Sequence, residues 1–144
     1  GIEQAKVGNR IGDISNAIQQ HAESQSYSVV RELVGHGIGK SLHEAPEVPN
    51  YGKRGRGTKI QSGLVIAIEP MINLGDKRVK QSKDGWTIVT RDGKPSAHYE
   101  HTIAVTDEKT ETLSDHTLIA EAIKNNPEIR NISLKKSIFA LQNF

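Results

Sequence analysis

Two glutamates stand where the residue pattern asks for apolar side chains, and that conflict limits what the chain can fold into. Glu69 and Pro70 interrupt the apolar run that starts with Val65-Ile66-Ala67-Ile68, and Glu100 lies directly before His101-Thr102-Ile103-Ala104-Val105. Both stretches are rich in β-branched residues, as strands are. A carboxylate on a buried sheet face is costly unless it is paired or bound to a cation. Taken singly, such a Glu is most simply a solvent-side residue of a half-buried strand. Two of them, together with the histidine of Gly35-His36-Gly37-Ile38-Gly39, point to a polar site built on a sheet. The flanking glycines let the backbone bend and bring that imidazole close to a ligand.

The rest of the pattern predicts an α+β fold. Residues 2–24 read as an amphipathic helix, with Val7, Ile11, Ile14 and Ile18 on one stripe. A strand is expected within residues 26–34. Residues 35–63, crowded with Gly, Pro and charge and including Lys53-Arg54-Gly55-Arg56-Gly57, read as loop. Residues 85–91 alternate around Trp86, Ile88 and Val89, and Asp92-Gly93 signals a hairpin turn. Residues 98–106 alternate as one further strand, and residues 116–125 form a short helix stopped near Asn125-Asn126-Pro127. The sheet is expected to be antiparallel.

Composition narrows the function classes. The 144 residues suit one modest domain, and 19 Lys plus Arg against 17 Asp plus Glu leave a charge of +2. No apolar run approaches the roughly 18 residues needed to span a bilayer. The opening Gly1-Ile2-Glu3-Gln4 has no signal-peptide character, so a cytoplasmic protein with no membrane partner is expected. Cysteine is absent, which removes disulfides, zinc ribbons and thiol chemistry. Six aromatic residues and a near-neutral charge argue against a nucleic-acid surface, and no DNA partner is expected. Any metal must be held by His and carboxylates. His36, Glu69 and Glu100, on three separate segments, supply an N/O set that suits Co, Mn, Fe, Ni or Zn.

Five ordered motifs carry a specific resemblance. They are Gly35-His36-Gly37-Ile38-Gly39, Leu42-His43-Glu44-Ala45-Pro46, Ile68-Glu69-Pro70-Met71-Ile72-Asn73, Lys83-Asp84-Gly85-Trp86-Thr87 and Ser96-Ala97-His98-Tyr99-Glu100-His101-Thr102-Ile103. Over about residues 1–116 the chain resembles methionine aminopeptidase. The spacing of 31 residues between Glu69 and Glu100 leaves no room for the helical insertion of type II members, so the resemblance is to type I. It implies half of a pita-bread fold, an antiparallel sheet with covering helices. In the family, two such halves surround two divalent metals.

Residue by residue, the resemblance implies that His36, Glu69 and Glu100 are metal ligands, with Glu69 also the proton shuttle and Glu100 the bridge between the metals. It implies that His43 contacts the scissile peptide and that Trp86 lines the methionine side-chain pocket. Residues 1–126 match the C-terminal half of the catalytic domain, and residues 127–144 match nothing. The family's two Asp ligands and its first-half histidine have no counterpart in this sequence. The implied function is metal-dependent removal of the N-terminal methionine from nascent polypeptides, with this chain alone inactive or weak and its metal occupancy partial or nil.

The competing reading is a non-catalytic peptide- or protein-binding module on the same half fold. Expected partners are peptides with an N-terminal methionine, and a separate N-terminal half or a second copy. A ribosome contact at Lys53, Arg54 and Arg56 is weighed against an ordinary solvated loop. The apolar tail residues Ile132, Leu134, Ile138, Phe139 and Leu141 either pack on a partner or fray.

Overall fold

The helical stripe near the N-terminus closes over strands that follow much later in the chain. The computed structural model describes residues 1–126, and the predicted tail readings for residues 127–144 lie outside the described residues. A 3-10 turn, Ile2–Gln4, precedes helix α1, Ile11–Ser24. Ten strands follow: β1 (Ser28–Val29), β2 (Gly35–Gly37), β3 (Glu44–Val48), β4 (Val65–Ile68), β5 (Met71–Asn73), β6 (Val79–Gln81), β7 (Ile88–Thr90), β8 (Ser96–His98), β9 (His101–Val105) and β10 (Thr110–Thr112). The chain divides into a unit Gly1–Leu113 and a second beginning at Ser114, which contains helix α2, Thr117–Asn125.

Every strand pair is antiparallel, as expected. Among the described residues a five-stranded sheet has the order β10-β9-β4-β2-β3, a three-stranded sheet the order β1-β5-β8, and β6 pairs with β7. Ile11, Ile14 and Ile18 of α1 meet Val48, Ile66, Ile68, Ile103 and Val105 in one core, joined by Ala5 and Ile60. Ile14, Ile60, Ile66 and Ile103 are wholly buried. This helix therefore covers one face of the five-stranded sheet. The opposite face takes the alternate positions: the pairs Gly35↔Val48 and Gly37↔Ile66 put both glycines on the core side and turn His36 away from it.

Several sequence expectations need correction. The predicted helix over residues 2–24 begins only at Ile11, because residues 8–10 bond instead to a distant segment. Gly8 N–H donates to Ile60 O and Ile60 N–H to Asn9 O, with Arg10 bridged to Lys59. The Arg10 N–H then donates to the Asp13 carboxylate and closes the helix start. Residues 35–63 are not all loop, since β2 and β3 lie within them. The glycines there are needed for close approach: a Cβ on Gly37 would stand 2.2 Å from Ala45 O, and one on Gly35 2.3 Å from Ala67 O. Within residues 26–34 only Ser28 and Val29 are strand.

The hairpin turn is also elsewhere. Asp84-Gly85, not Asp92-Gly93, connects two paired strands, β6 and β7. The Asp84 carboxylate accepts from Trp86 N–H, Thr87 N–H and the Thr87 hydroxyl, and Gly85 takes φ +72°. These donors, the Thr87 hydroxyl foremost, hold the Asp84 carboxyl below its ordinary pKa. Asp92-Gly93 turns the chain from β7 toward β8, which pairs with β5 in another sheet. The strand predicted over residues 98–106 is likewise two strands, β8 and β9, that belong to different sheets.

Candidate metal centre

Both glutamates lie where a strand leaves one sheet for the other. β4 runs in the five-stranded sheet and β5 in the three-stranded one, with Glu69-Pro70 between them; β8 and β9 are split the same way by Tyr99-Glu100. The register sets these breaks side by side, because Ile68 pairs with His101 and Met71 with His98. At the junction Tyr99 N–H donates to Pro70 O. A Pro at position 70 suits this point, since it has no N–H to give to a ladder. Strand alternation then aims Glu69 and Glu100 to the face that His36 occupies, away from α1.

Glu69 is the shared neighbour on that face. His36 Nε2 lies 3.4 Å from Glu69 Oε1, both side chains being largely buried at 14% and 13% exposure. His98 Nε2 lies 3.2 Å from Glu69 Oε2. Ligand atoms of Glu69, His98 and Glu100 all fall within 4.8 Å of one another. Glu100 itself is exposed, so the burial cost argued from its strand context applies to Glu69 and not to Glu100. Beneath the site, fully buried Asn50 directs Nδ2 at the Glu69 carbonyl at 3.4 Å, and its Oδ1 has no protein partner.

The donor set fits a divalent cation. His36 Nδ1 is 2.9 Å from Gly37 O, an atom that can only accept, so the Nδ1 carries the proton. In the neutral ring Nε2 then presents a lone pair to a carboxylate oxygen, and two acceptors face each other at 3.4 Å. A cation between them resolves that opposition. Two ligand atoms each about 2.0–2.1 Å from a tetrahedral ion stand about 3.4 Å apart, which matches this pair. The backbone carbonyl on Nδ1 is the usual outer partner of a metal-binding histidine.

The other sequence-derived residues divide. The His43 ring packs on the His36 ring, centroids 4.0 Å apart and tilted by 55°. It is carried by a loop that Glu44 fastens, through Ser41 N–H to Glu44 Oε1 at 2.7 Å. Trp86 follows Asp84-Gly85 in the β6–β7 turn and is 87% exposed, on a sheet separate from those bearing His36 and the two glutamates. The basic loop is backed by α1: Gly12 N–H donates to Arg56 O, and Arg10 Nη1 to Gly57 O. His98 is the residue that the sequence reading missed. Its position two residues before Glu100 in a strand-like stretch was the available signal.

Strand order, the α1-covered sheet and this His/Glu cluster define a metallopeptidase scaffold, and the comparisons agree. The chain belongs to metallopeptidase family M24, whose profile matches residues 1–107. It is 59% identical over 114 residues to a methionine aminopeptidase of Clostridium perfringens, covering 79% of this chain and 46% of that protein. It is 52% identical over 107 residues to methionine aminopeptidase 1 of Bacillus subtilis, covering 74% and 43%. The methionine aminopeptidase structure from Thermotoga maritima superposes with a TM-score of 0.75 at 48% identity, over 78% of this chain and 47% of that one. The structure from Rickettsia prowazekii gives 0.74 at 44% identity, over 77% and 47%. The pita-bread α+β fold is thus established, and the chain spans about half the length of the relatives it matches.

Proposed function

We propose that this chain supplies the His/Glu half of a divalent-metal centre that removes N-terminal methionine from peptides, as a type I methionine aminopeptidase. The observation that carries the reading is the His36–Glu69 pair, an Nε2 lone pair set 3.4 Å from a carboxylate oxygen. In this reading residues 1–126 are the C-terminal half of the catalytic domain, and His36, Glu69 and Glu100 are ligands. Co, Mn, Fe, Ni and Zn are all compatible with that set. Bound metal would activate a water and polarise the scissile carbonyl.

The chain's own residues do the rest. Glu69 takes the proton of the attacking water and returns it to the leaving amine. Glu100 holds its carboxylate beside Glu69 so that both reach one centre. His43, braced on His36, donates to the scissile carbonyl oxygen as charge develops there. Trp86 lies against the methionine side chain. The remaining ligands come from an N-terminal half or from a second copy of the chain.

Two measurements test this reading. Calorimetry with Co(II) should show binding by the chain and its loss in His36→Ala; equal affinity of the two removes His36 from the centre. Methionine release from Met-Ala-Ser with Co(II) or Mn(II) should stay well below about 1 s⁻¹ for the 144-residue chain alone, near the low end of ordinary enzymes. Turnover at or above that rate would refute the need for ligands from elsewhere.

A further inference from the structure

Glu69 has a histidine at each carboxylate oxygen. His36 stands at one carboxylate oxygen, and at the other stands His98, which the ligand set implied by the resemblance does not include although its ring nitrogen lies in the same cluster as Glu69 and Glu100: His98 Nε2 is 3.2 Å from Oε2. We propose that His98 is a positioning residue for Glu69, donating its Nε2–H to Oε2 so that Oε1 stays turned toward His36. The proposal deepens the metal-centre reading and rests on it for its functional consequence.

The two histidines differ in what their backbones allow. His36 has its Nδ1–H committed to Gly37 O, so its neutral ring has no Nε2–H to give. Among the described residues no such bond ties His98 Nδ1, so its neutral ring can carry the proton on Nε2, the atom 3.2 Å from Oε2. The backbone fixes the reach. His98 is register-paired with Met71, two residues past Glu69, and alternation puts residues 69, 71 and 98 on one face. Tyr99 N–H to Pro70 O ties the same two segments.

A carboxylate held at one oxygen cannot swing freely about its last torsion. Without that hold, Oε1 and Oε2 exchange and the 3.4 Å approach to His36 is lost for part of the time. The His98 side chain is 47% exposed, so truncating it removes little packing. Partners that orient a metal ligand in this way typically contribute 10- to 100-fold in metal affinity.

The experiment uses the full chain and two readouts. In metal-free protein, long-range proton–nitrogen NMR of the imidazoles should find a proton on His98 Nε2; a bare Nε2 overturns the proposal. By Co(II) calorimetry His98→Ala should weaken binding by about 10–100-fold with Tm unchanged. His98→Gln should restore affinity to within a few-fold, because its amide nitrogen occupies the place of Nε2 and donates. An unchanged affinity in His98→Ala overturns the proposal, and so does a Gln variant no better than Ala, which would make His98 a direct ligand. If the unmodified chain binds no Co(II), the metal-centre reading falls, and the Nε2 proton alone decides the His98–Glu69 bond.

Discussion

His36 Nε2 and Glu69 Oε1 face each other at 3.4 Å, and with a proton of the imidazole fixed on its far side by Gly37 O the neutral ring meets the carboxylate as a second acceptor. A lone pair on a neutral imidazole set so close to a carboxylate oxygen without a shared donor is unfavourable by itself. A cation placed between them, or a second proton on Nε2, would relieve it. The backbone thus settles the histidine's tautomer through β2, before any ligand arrives.

Gly37→Ala should destabilise the chain by about 1–3 kcal/mol, the usual cost of forcing a group into filled space. The new methyl would stand 2.2 Å from Ala45 O, and backbone cannot swing away as a long side chain does. Urea unfolding of the variant checks this; an unshifted midpoint would mean that β3 gives way freely.

Ile66→Ala should cost about 2–5 kcal/mol, because Ile66 is fully buried at the centre of the α1–sheet core. Leu42→Ala, at a residue 69% exposed, should stay within about 0.5 kcal/mol of the parent. Both follow from paired denaturation curves.

Trp86 is the sole tryptophan, so fluorescence reports on one site. At 87% exposure its emission should be quenched by acrylamide in the folded chain nearly as fully as in the unfolded one. Strong protection in the folded chain would contradict the exposed turn. Loss of quenching on adding a methionyl peptide would support its place beside the methionine side chain.

Asp76 gives a pH signature. The Arg78 guanidinium hydrogen-bonds its carboxylate and, with the Arg78 N–H, pulls its pKa down to about 2. A depressed carboxyl stabilises the fold at pH above its unfolded value of 3.8, and that contribution fades as pH falls from there toward 2. Carbon NMR should place the Asp76 midpoint near 2, and Arg78→Ala should return it toward the ordinary value. An Asp76 that titrates normally in the parent would remove the pair.

What could be read in advance depended on the kind of interaction. The Ile11, Ile14 and Ile18 stripe was legible because helix burial repeats along the chain, and Glu69 because a carboxylate beside Ile68 breaks a local rule. The glycines of β2 misled, since glycine signals a turn locally while its use here is the lack of a Cβ against β3 and β4. Asp84-Gly85 and Asp92-Gly93 carry the same local chemistry. Only the pairing of β8 with β5, a long-range choice, makes one a hairpin and the other a crossover. His98 was visible by position, but its bond to Glu69 depends on how two sheets meet.

The path from Glu69 to Glu100 runs out along β5, through the β6–β7 hairpin, and home along β8. Its two ends are clamped by the β4–β9 and β5–β8 ladders. The gap between the acids is therefore set at the root of the excursion and is indifferent to what hangs from it. Lengthening a flexible loop costs only about 0.6 kcal/mol per doubling. The hairpin tip is thus a natural graft point, where new sequence can be added to change what the molecule touches while the chemistry at its base keeps its dimensions.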